Sequence, residues 1–168
     1  MILEFIFRWA HVLFGIVWIG MLYYFNFVQT EYFKEAEADA KADAVKKLAP
    51  RALWWFRWGA VATWLTGAAA LGHYRIFADA FALGMLGDSL NMQAMFIGVG
   101  AWLGTIMLFN VWVLIWPNQK KVLGIVQASA DEVAKAKRVA LLASRTNTML
   151  SIPMLMSMVG FGHGGFFL

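Results

Sequence analysis

Four apolar stretches, each of about 20 residues, restrict the fold of this chain more than any other feature. A helix needs about 20 mainly apolar residues to cross the core of a bilayer. The sequence therefore predicts an all-α integral membrane protein, a single domain with four spanning helices. The predicted spans are residues 3–28, 53–77, 92–116 and 148–168. The first is long for the core of a signal peptide and lacks a basic N-terminal region, which predicts a retained helix.

The composition supports an integral membrane protein and excludes several other classes of protein and site. Charged residues make up 14% of the chain, against about 25% in a typical soluble domain. The basic residues lie almost entirely in two segments between spans, so membrane topology explains them and no nucleic-acid partner is expected. The chain has no cysteine, which excludes disulfides, thiolate metal sites and a covalently attached haem.

The distribution of lysine and arginine predicts the orientation. Two alanine-rich, charged segments, 30–51 and 117–145, separate span one from two and span three from four, and both are predicted to form amphipathic helical loops. These loops hold eleven lysines and arginines, whereas the opposite side has only Arg8 and Arg75. The positive-inside rule then makes both loops cytoplasmic and both termini external. Tryptophans at the cytoplasmic ends of spans two and three are predicted to form an aromatic belt, namely Trp54, Trp55, Trp58, Trp112 and Trp116.

The three histidines fall near the outer ends of three predicted spans. His11 lies roughly 10 Å below the start of the first span at 1.5 Å per residue, and His73 and His163 lie near the outer ends of the second and fourth. Histidines at one depth can ligate a haem iron through axial imidazoles, or hold one metal ion through three nitrogens. Both options stay open. A third is that a histidine near a helix end has no ligand role and simply extends to the lipid headgroups, and this applies most to His73.

The surroundings of His11 favour haem. Arg8 and Arg75 lie at the same outer level, where haem propionates need cationic partners. Arg8, His11, Gly15 and Trp18 share one helix face, and glycine leaves room there for a flat macrocycle. In the alternative interpretation the arginines are interfacial anchors and the glycines are helix-packing contacts.

Polar residues in the cytoplasmic half have two interpretations. Asn26 and Asn110 are predicted to cross-link helices through hydrogen bonds of about 0.6 kcal/mol each, and a quinone- or substrate-sized pocket is the alternative. Gly100 and Gly104 are spaced as in helix-packing or homo-oligomer contacts. Acidic residues near the outer surface are predicted to be solvated, namely Glu4, Asp79 and Asp88.

Four segments of the chain resemble a known family. The stretches "RWAHVLFGIVWIGMLYYFNFVQ", "APRALWWFRWGAVATWLTG", "WPNQKK" and "SRTNTMLSIPMLMSMVGFGH" are similar to the membrane domain of bacterial membrane-bound urate hydroxylases. Full-length members oxidise urate in the inner membrane and pass electrons to a fused C-terminal cytochrome c. The resemblance implies a short form without that cytochrome, with periplasmic termini and with His11, His73 and His163 carried over.

Three functions follow as hypotheses. In the first, the chain is an electron-transfer module with haem b, bound by His11 and by His163 or His73, and it passes electrons to a periplasmic cytochrome c or a larger respiratory complex. In the second, it oxidises urate or a related small molecule itself, as a homo-oligomer that completes a split site. In the third, it is an accessory subunit without redox chemistry, and the histidines are structural.

Overall fold

The computed structural model describes residues 2–162, and the regular secondary structure in that range is entirely helical. We number the helices α1 (Ile2–Glu35), α2 (38–73), α3 (Phe77–Phe81), α4 (Met92–Val122) and α5 (Ala130–Gly162). The predicted all-α class is confirmed for this part of the chain.

The four long helices pack side by side: α1 contacts α2 and α5, and α4 contacts the same two. Neighbouring helices are antiparallel, since the contacting residue numbers rise along one helix as they fall along the other. One hydrogen bond from each contact illustrates the arrangement: His11–Thr63 between α1 and α2, Trp64–Thr105 between α2 and α4, Asn110–Asn147 between α4 and α5, and Tyr23–Ser151 between α5 and α1. The shared core contains large apolar side chains from all four, namely Trp18, Leu22, Leu53, Phe56, Met107, Val111, Ile115 and Met154.

The charged segments between the predicted spans are helical, as expected, but they extend the long helices instead of forming separate elements. α1 continues to Glu35, α2 starts at Ala38, and α5 starts at Ala130, eighteen residues before the predicted start of the fourth span. Alanine, lysine and glutamate are strong helix formers, and α5 meets no glycine or proline before Pro153. Nothing local therefore interrupts these helices at the predicted boundaries.

Pro50 and Pro117 do not end helices, although proline is usually placed at helix ends. Two π-helical segments, Ala44–Leu48 and Asn110–Ile115, each end two residues before one of these prolines, and the helix continues beyond it. Proline lacks an N–H group and its ring collides with the carbonyl one turn earlier. A locally widened helix accommodates both effects, so the prolines mark widened turns within continuous helices.

The turn before α4 is held by specific contacts. Gly84 has φ +76°, and a Cβ at this position would lie 2.2 Å from the carbonyl oxygen of Asn91, so this turn requires glycine. The Asn91 side chain accepts a hydrogen bond from the Ala94 N–H and donates one to Asp79. The prediction that Asp79 is merely solvated is therefore wrong, since its carboxylate organises this turn.

Two helices, α1 and α4, are long and apolar enough to cross a membrane, with mean hydropathies of 1.7 and 1.8. The same length and composition also occur in signal sequences and in buried core helices. α2 and α5 do not meet the criterion among the described residues. Arg57, the tryptophans, glycine and threonine lower the mean hydropathy of α2. The last six residues of the predicted fourth span lie beyond Gly162.

Candidate functional site

His11 lies in the contact between α1 and α2. Its Nδ1 atom is 2.8 Å from the backbone carbonyl oxygen of Thr63. Because a carbonyl oxygen only accepts, Nδ1 carries the proton and Nε2 keeps its lone pair. A Cβ on Gly67 would lie 2.8 Å from the Cε1 atom of His11, so glycine makes room for the imidazole. Sequence analysis missed Gly67 because the signal is a tertiary contact.

The helix face that contains His11 packs against small residues of α2. Gly59, Thr63 and Gly67 recur every four residues, the spacing of close helix packing. A Cβ on Gly59 would lie 3.4 Å from the backbone nitrogen of Trp18, and one on Gly15 would lie 3.8 Å from the Cγ2 atom of Thr63. Gly15 and Trp18 therefore contribute to helix packing here, and their contribution to a cofactor pocket stays a prediction.

Trp18 is almost completely buried, and its indole N–H has no hydrogen-bond partner among residues 2–162. Buried donors are normally satisfied, and Trp18 lies on the predicted cofactor face, so its indole N–H is a buried donor there that the described residues leave unpaired.

His73 lies at the same end of the molecule as His11. Its ring is exposed and makes an edge contact with Phe7, at 6.4 Å between ring centroids, and Phe7 is one turn before His11. Arg75 is also exposed, with a φ of 58°. His163 lies outside the described residues, so its position relative to the other two histidines stays a prediction.

Glu4 joins the start of α1 to the end of α2. It accepts a hydrogen bond of 2.7 Å from the Tyr74 hydroxyl and lies 3.8 Å from the Nη1 atom of Arg8. The prediction that Glu4 is simply solvated is therefore wrong. Arg8 is largely exposed and lies about one turn before His11, so it can bind an anionic group there.

The described residues contain no group of three histidines, cysteines or carboxylates that could hold a metal ion. The predicted three-histidine site includes His163 and stays a prediction. His11 by itself fits an axial haem ligand, because metal-ligating histidines almost always donate their other N–H to a carbonyl or carboxylate.

A cleft of about 340 Å³ opens at the opposite end of the molecule, among α1, α2, α4 and α5. Among the described residues its polar lining has amide, ammonium and hydroxyl groups and no carboxylate, namely Asn26, Gln29, Gln119, Lys41, Lys137, Thr30 and Ser144. The amide of Asn26 also donates hydrogen bonds of 2.8 Å to the Ser144 hydroxyl and to the Leu22 carbonyl. The predicted cross-link through Asn26 is confirmed, and the same residue lines a pocket.

Asn110 and Asn147 form a buried amide pair between α4 and α5. Asn110 donates to the Oδ1 atom of Asn147 at 2.8 Å, and Asn147 donates to the carbonyl oxygen of Met107 at 2.9 Å. The predicted cross-link through Asn110 is confirmed. Gly100 is also a packing contact, since a Cβ there would lie 2.9 Å from the Ser157 hydroxyl, whereas one on Gly104 would meet nothing within 4 Å.

Four long antiparallel helices, joined by buried polar contacts and carrying many exposed apolar side chains, define an all-α helical protein of low polarity. Residues 74–167 match the family model described as urate oxidase N-terminal. Because the match covers more than half of the chain, the chain belongs to the urate oxidase N-terminal family, and the resemblance drawn from the sequence is confirmed at that level. The matched range contains Arg75 and His163, whereas His11 and His73 precede it. No match was found among curated proteins or among solved structures.

Proposed function

We propose that this chain is a multi-pass protein of the bacterial inner membrane that binds haem b and serves as an electron-transfer module in urate oxidation. Membership of the urate oxidase N-terminal family supports the link to urate. The observation that carries the haem assignment is the hydrogen bond from His11 to Thr63, which leaves Nε2 available for iron.

The outer surface supports four membrane spans. On α5 the side chains of Met149, Ile152, Met156 and Val159 form one stripe, between 51% and 73% exposed. Apolar stripes also run along the outer sides of α1 and α4. Contiguous exposed apolar surface is rare on soluble monomers, but it is the expected surface against lipid tails. The lysine-rich end then faces the cytoplasm and both termini face the periplasm.

In this proposal His11 would hold the haem iron together with either His163 or His73. The Thr63 carbonyl fixes the tautomer and the orientation of the His11 ring, while Gly67 lets the ring lie close to α2. Arg8 and Arg75 provide the positive charge that propionates require. When bound, haem would carry one electron reversibly between its ferric and ferrous states, for transfer to a periplasmic cytochrome c or a respiratory complex.

The test is a reduced-minus-oxidised absorption spectrum of the detergent-purified protein beside His11→Ala, His73→Ala and His163→Ala. We expect a b-type spectrum in the wild type, its loss in His11→Ala, and its loss in only one of the other two variants. That variant identifies the second ligand. A well-folded His11→Ala protein with an unchanged spectrum contradicts the assignment. A colourless wild-type protein after haem loading supports the accessory-subunit hypothesis instead.

Topology has an independent test because the native chain has no cysteine. Ser89 lies in the turn before α4 and Ser129 lies just before α5, at opposite ends of the molecule. We expect a membrane-impermeant maleimide to label Ser89→Cys in intact spheroplasts, and to label Ser129→Cys only after permeabilisation. Equal labelling of the two variants in intact spheroplasts contradicts the four-span arrangement.

A second candidate function is oxidation of urate by the chain itself, as a homo-oligomer, and the cleft favours it. Urate is a small planar anion rich in amide-like groups, and the cleft offers amides and two lysines without a carboxylate. The measurement is urate-dependent reduction of added cytochrome c. We expect Lys137→Gln to raise KM, while the control Lys135→Gln, on the same helix but outside the cleft lining, leaves KM unchanged. An equal KM in both variants excludes the cleft as the urate site.

A further inference from the structure

Arg57 is a buried cation for which the described residues supply no anionic partner. Its side chain comes from α2 and is only 8% exposed. The guanidinium carbon lies 3.2 Å from the ring centroid of Trp116 and 5.8 Å from that of Trp112, both on α4. None of the ion pairs among residues 2–162 includes Arg57. The indole faces attract the charge, but they do not satisfy the in-plane N–H donors.

Three buried N–H donors at this contact find no acceptor within residues 2–162. The Nε and Nη1 atoms of Arg57 and the Nε1 atom of Trp112 have no hydrogen-bond partner in the described part of the chain. Buried donors are nearly always paired, and those of a cation are the most unfavourable to leave unpaired. Donors contributed by two neighbouring helices therefore indicate an acceptor that the described residues do not supply.

A second cation lies beside the same rings. Lys120 is one turn beyond Trp116, and its Nζ atom is 5.9 Å from the centroid of that ring. Lys120 takes part in none of the ion pairs found between residues 2 and 162. An arginine, an indole N–H and a lysine together match the oxygens of a phosphate group, which accept several hydrogen bonds and carry negative charge.

The surface around this cluster points to a phosphate that belongs to a lipid. Trp54, Trp55 and Trp58 of α2 are about half exposed at the same level, where indoles prefer the border between headgroups and acyl chains. On α4, Ile106, Phe109 and Val113 form an exposed apolar stripe that ends at the cluster. This apolar surface can contact the acyl chain of a lipid whose phosphate lies at the cluster, whereas inorganic phosphate has no apolar part to contact it.

We infer that Arg57, Trp112 and Lys120 form a binding site between α2 and α4 for the phosphate of an anionic phospholipid. The inference rests on the membrane placement in the proposed function and is independent of haem and urate. Basic pockets between helices on the cytoplasmic side of a membrane commonly bind anionic headgroups.

The experiment is native mass spectrometry of the full chain in neutral detergent, titrated with phosphatidylglycerol, with phosphatidylcholine or with inorganic phosphate. We expect phosphatidylglycerol adducts on the wild type in clear excess over phosphatidylcholine adducts. Arg57→Gln should weaken phosphatidylglycerol binding roughly tenfold, as expected for the loss of a charged hydrogen-bond partner. The control Arg51→Gln removes the same charge from an exposed site on the same helix and should bind as the wild type does.

Two further variants keep the test decisive if Arg57→Gln does not fold. Trp112→Phe retains the ring and removes one donor, and Lys120→Gln removes the second cation, so each should weaken binding by a smaller factor. Phosphatidylglycerol binding that is equal in Arg57→Gln, Arg51→Gln and the wild type overturns the site. Competition by inorganic phosphate as strong as that by the lipid overturns the lipid as the source. Flotation with neutral phosphatidylcholine vesicles tests the membrane placement separately. If the protein floats with these vesicles but shows no preference for phosphatidylglycerol, the membrane placement stands and the phosphate site is overturned.

Discussion

The two ends of the helical assembly are built in different ways. At the histidine end, defined by His11, Thr63 and Gly67, α1 and α2 pack so closely that one added methyl group would strike the His11 ring. At the cleft end, defined by Asn26, Gln119 and Lys137, the same helices leave a cavity with a cationic lining. His11 and Asn26 are about 22 Å apart along α1 at 1.5 Å per residue.

This difference separates the two candidate chemistries in space. A tightly packed end holds an imidazole in a single orientation, which suits a fixed ligand of a redox centre. An open polar end admits and releases a small molecule, which suits a substrate. If both candidate functions hold, a substrate in the cleft and a centre at His11 lie on opposite sides of the apolar core.

Gly67→Ala should lower the stability of the protein more than any other variant that tests the difference between the two ends. The new Cβ would lie 2.8 Å from Cε1 and 2.9 Å from Nδ1 of His11, so the ring must move away and lose its bond to Thr63. Overpacking of this kind destabilises by about 1–3 kcal/mol. Thermal unfolding followed by circular dichroism measures it. The control is Gly72→Ala, where no described residue lies within 4 Å of the new Cβ, and equal melting temperatures would contradict the packed histidine end.

Asn147→Ala should weaken the core between the two ends. Asn147 is fully buried, and its loss leaves the amide of Asn110 without its acceptor, for a destabilisation of about 1–3 kcal/mol. The midpoint of thermal or denaturant unfolding measures the change. Asn118→Ala provides the comparison, because Asn118 bonds only to a carbonyl of its own helix at an exposed site. If both variants have the same unfolding midpoint, the buried amide pair does not stabilise the fold.

Tyr74→Phe should loosen only the histidine end. It removes the 2.7 Å hydrogen bond to Glu4 with little change of shape, and a bond to a part-buried acceptor is worth about 0.5–1.5 kcal/mol. Amide hydrogen exchange should rise at the start of α1 and remain unchanged around the cleft. Tyr32→Phe serves as the matched exposed control. Faster exchange at the cleft end would show that the two ends are coupled.

Glu132→Gln should have the smallest effect, confined to the start of α5 at the cleft end. The backbone N–H of Ser129 donates to the Glu132 carboxylate at 2.9 Å and, with the nearby Lys121, lowers the pKa of Glu132 below its ordinary value of 4.5. This contribution to stability is complete above 4.5 and is lost as the pH falls through the lowered pKa. The melting-temperature difference between wild type and Glu132→Gln should therefore shrink on acidification, and a constant difference from pH 7 to pH 3 would refute it.

Part of the site was predictable from sequence and part was not. His11 and the cross-linking amides Asn26 and Asn110 were predictable, because a polar side chain inside an apolar run is costly without a partner or a function. Gly67 and the stacking of Arg57 on Trp116 were not, because each depends on which residue of another helix lies opposite. Glu4 and Asp79 were misjudged for the same reason, since their partners, Tyr74 and Asn91, become neighbours only in the folded chain.

The sequence by itself determined the helical class and the apolar character, because both follow from the composition and spacing of residues close together in the chain. Tertiary structure decided which polar groups meet and where a cavity remains. His11 and Thr63 are 52 residues apart in sequence, and Asn110 and Asn147 are 37 apart. Such pairs depend on the register and rotation of whole helices against one another. Many packing contacts along the helices jointly determine that register and rotation.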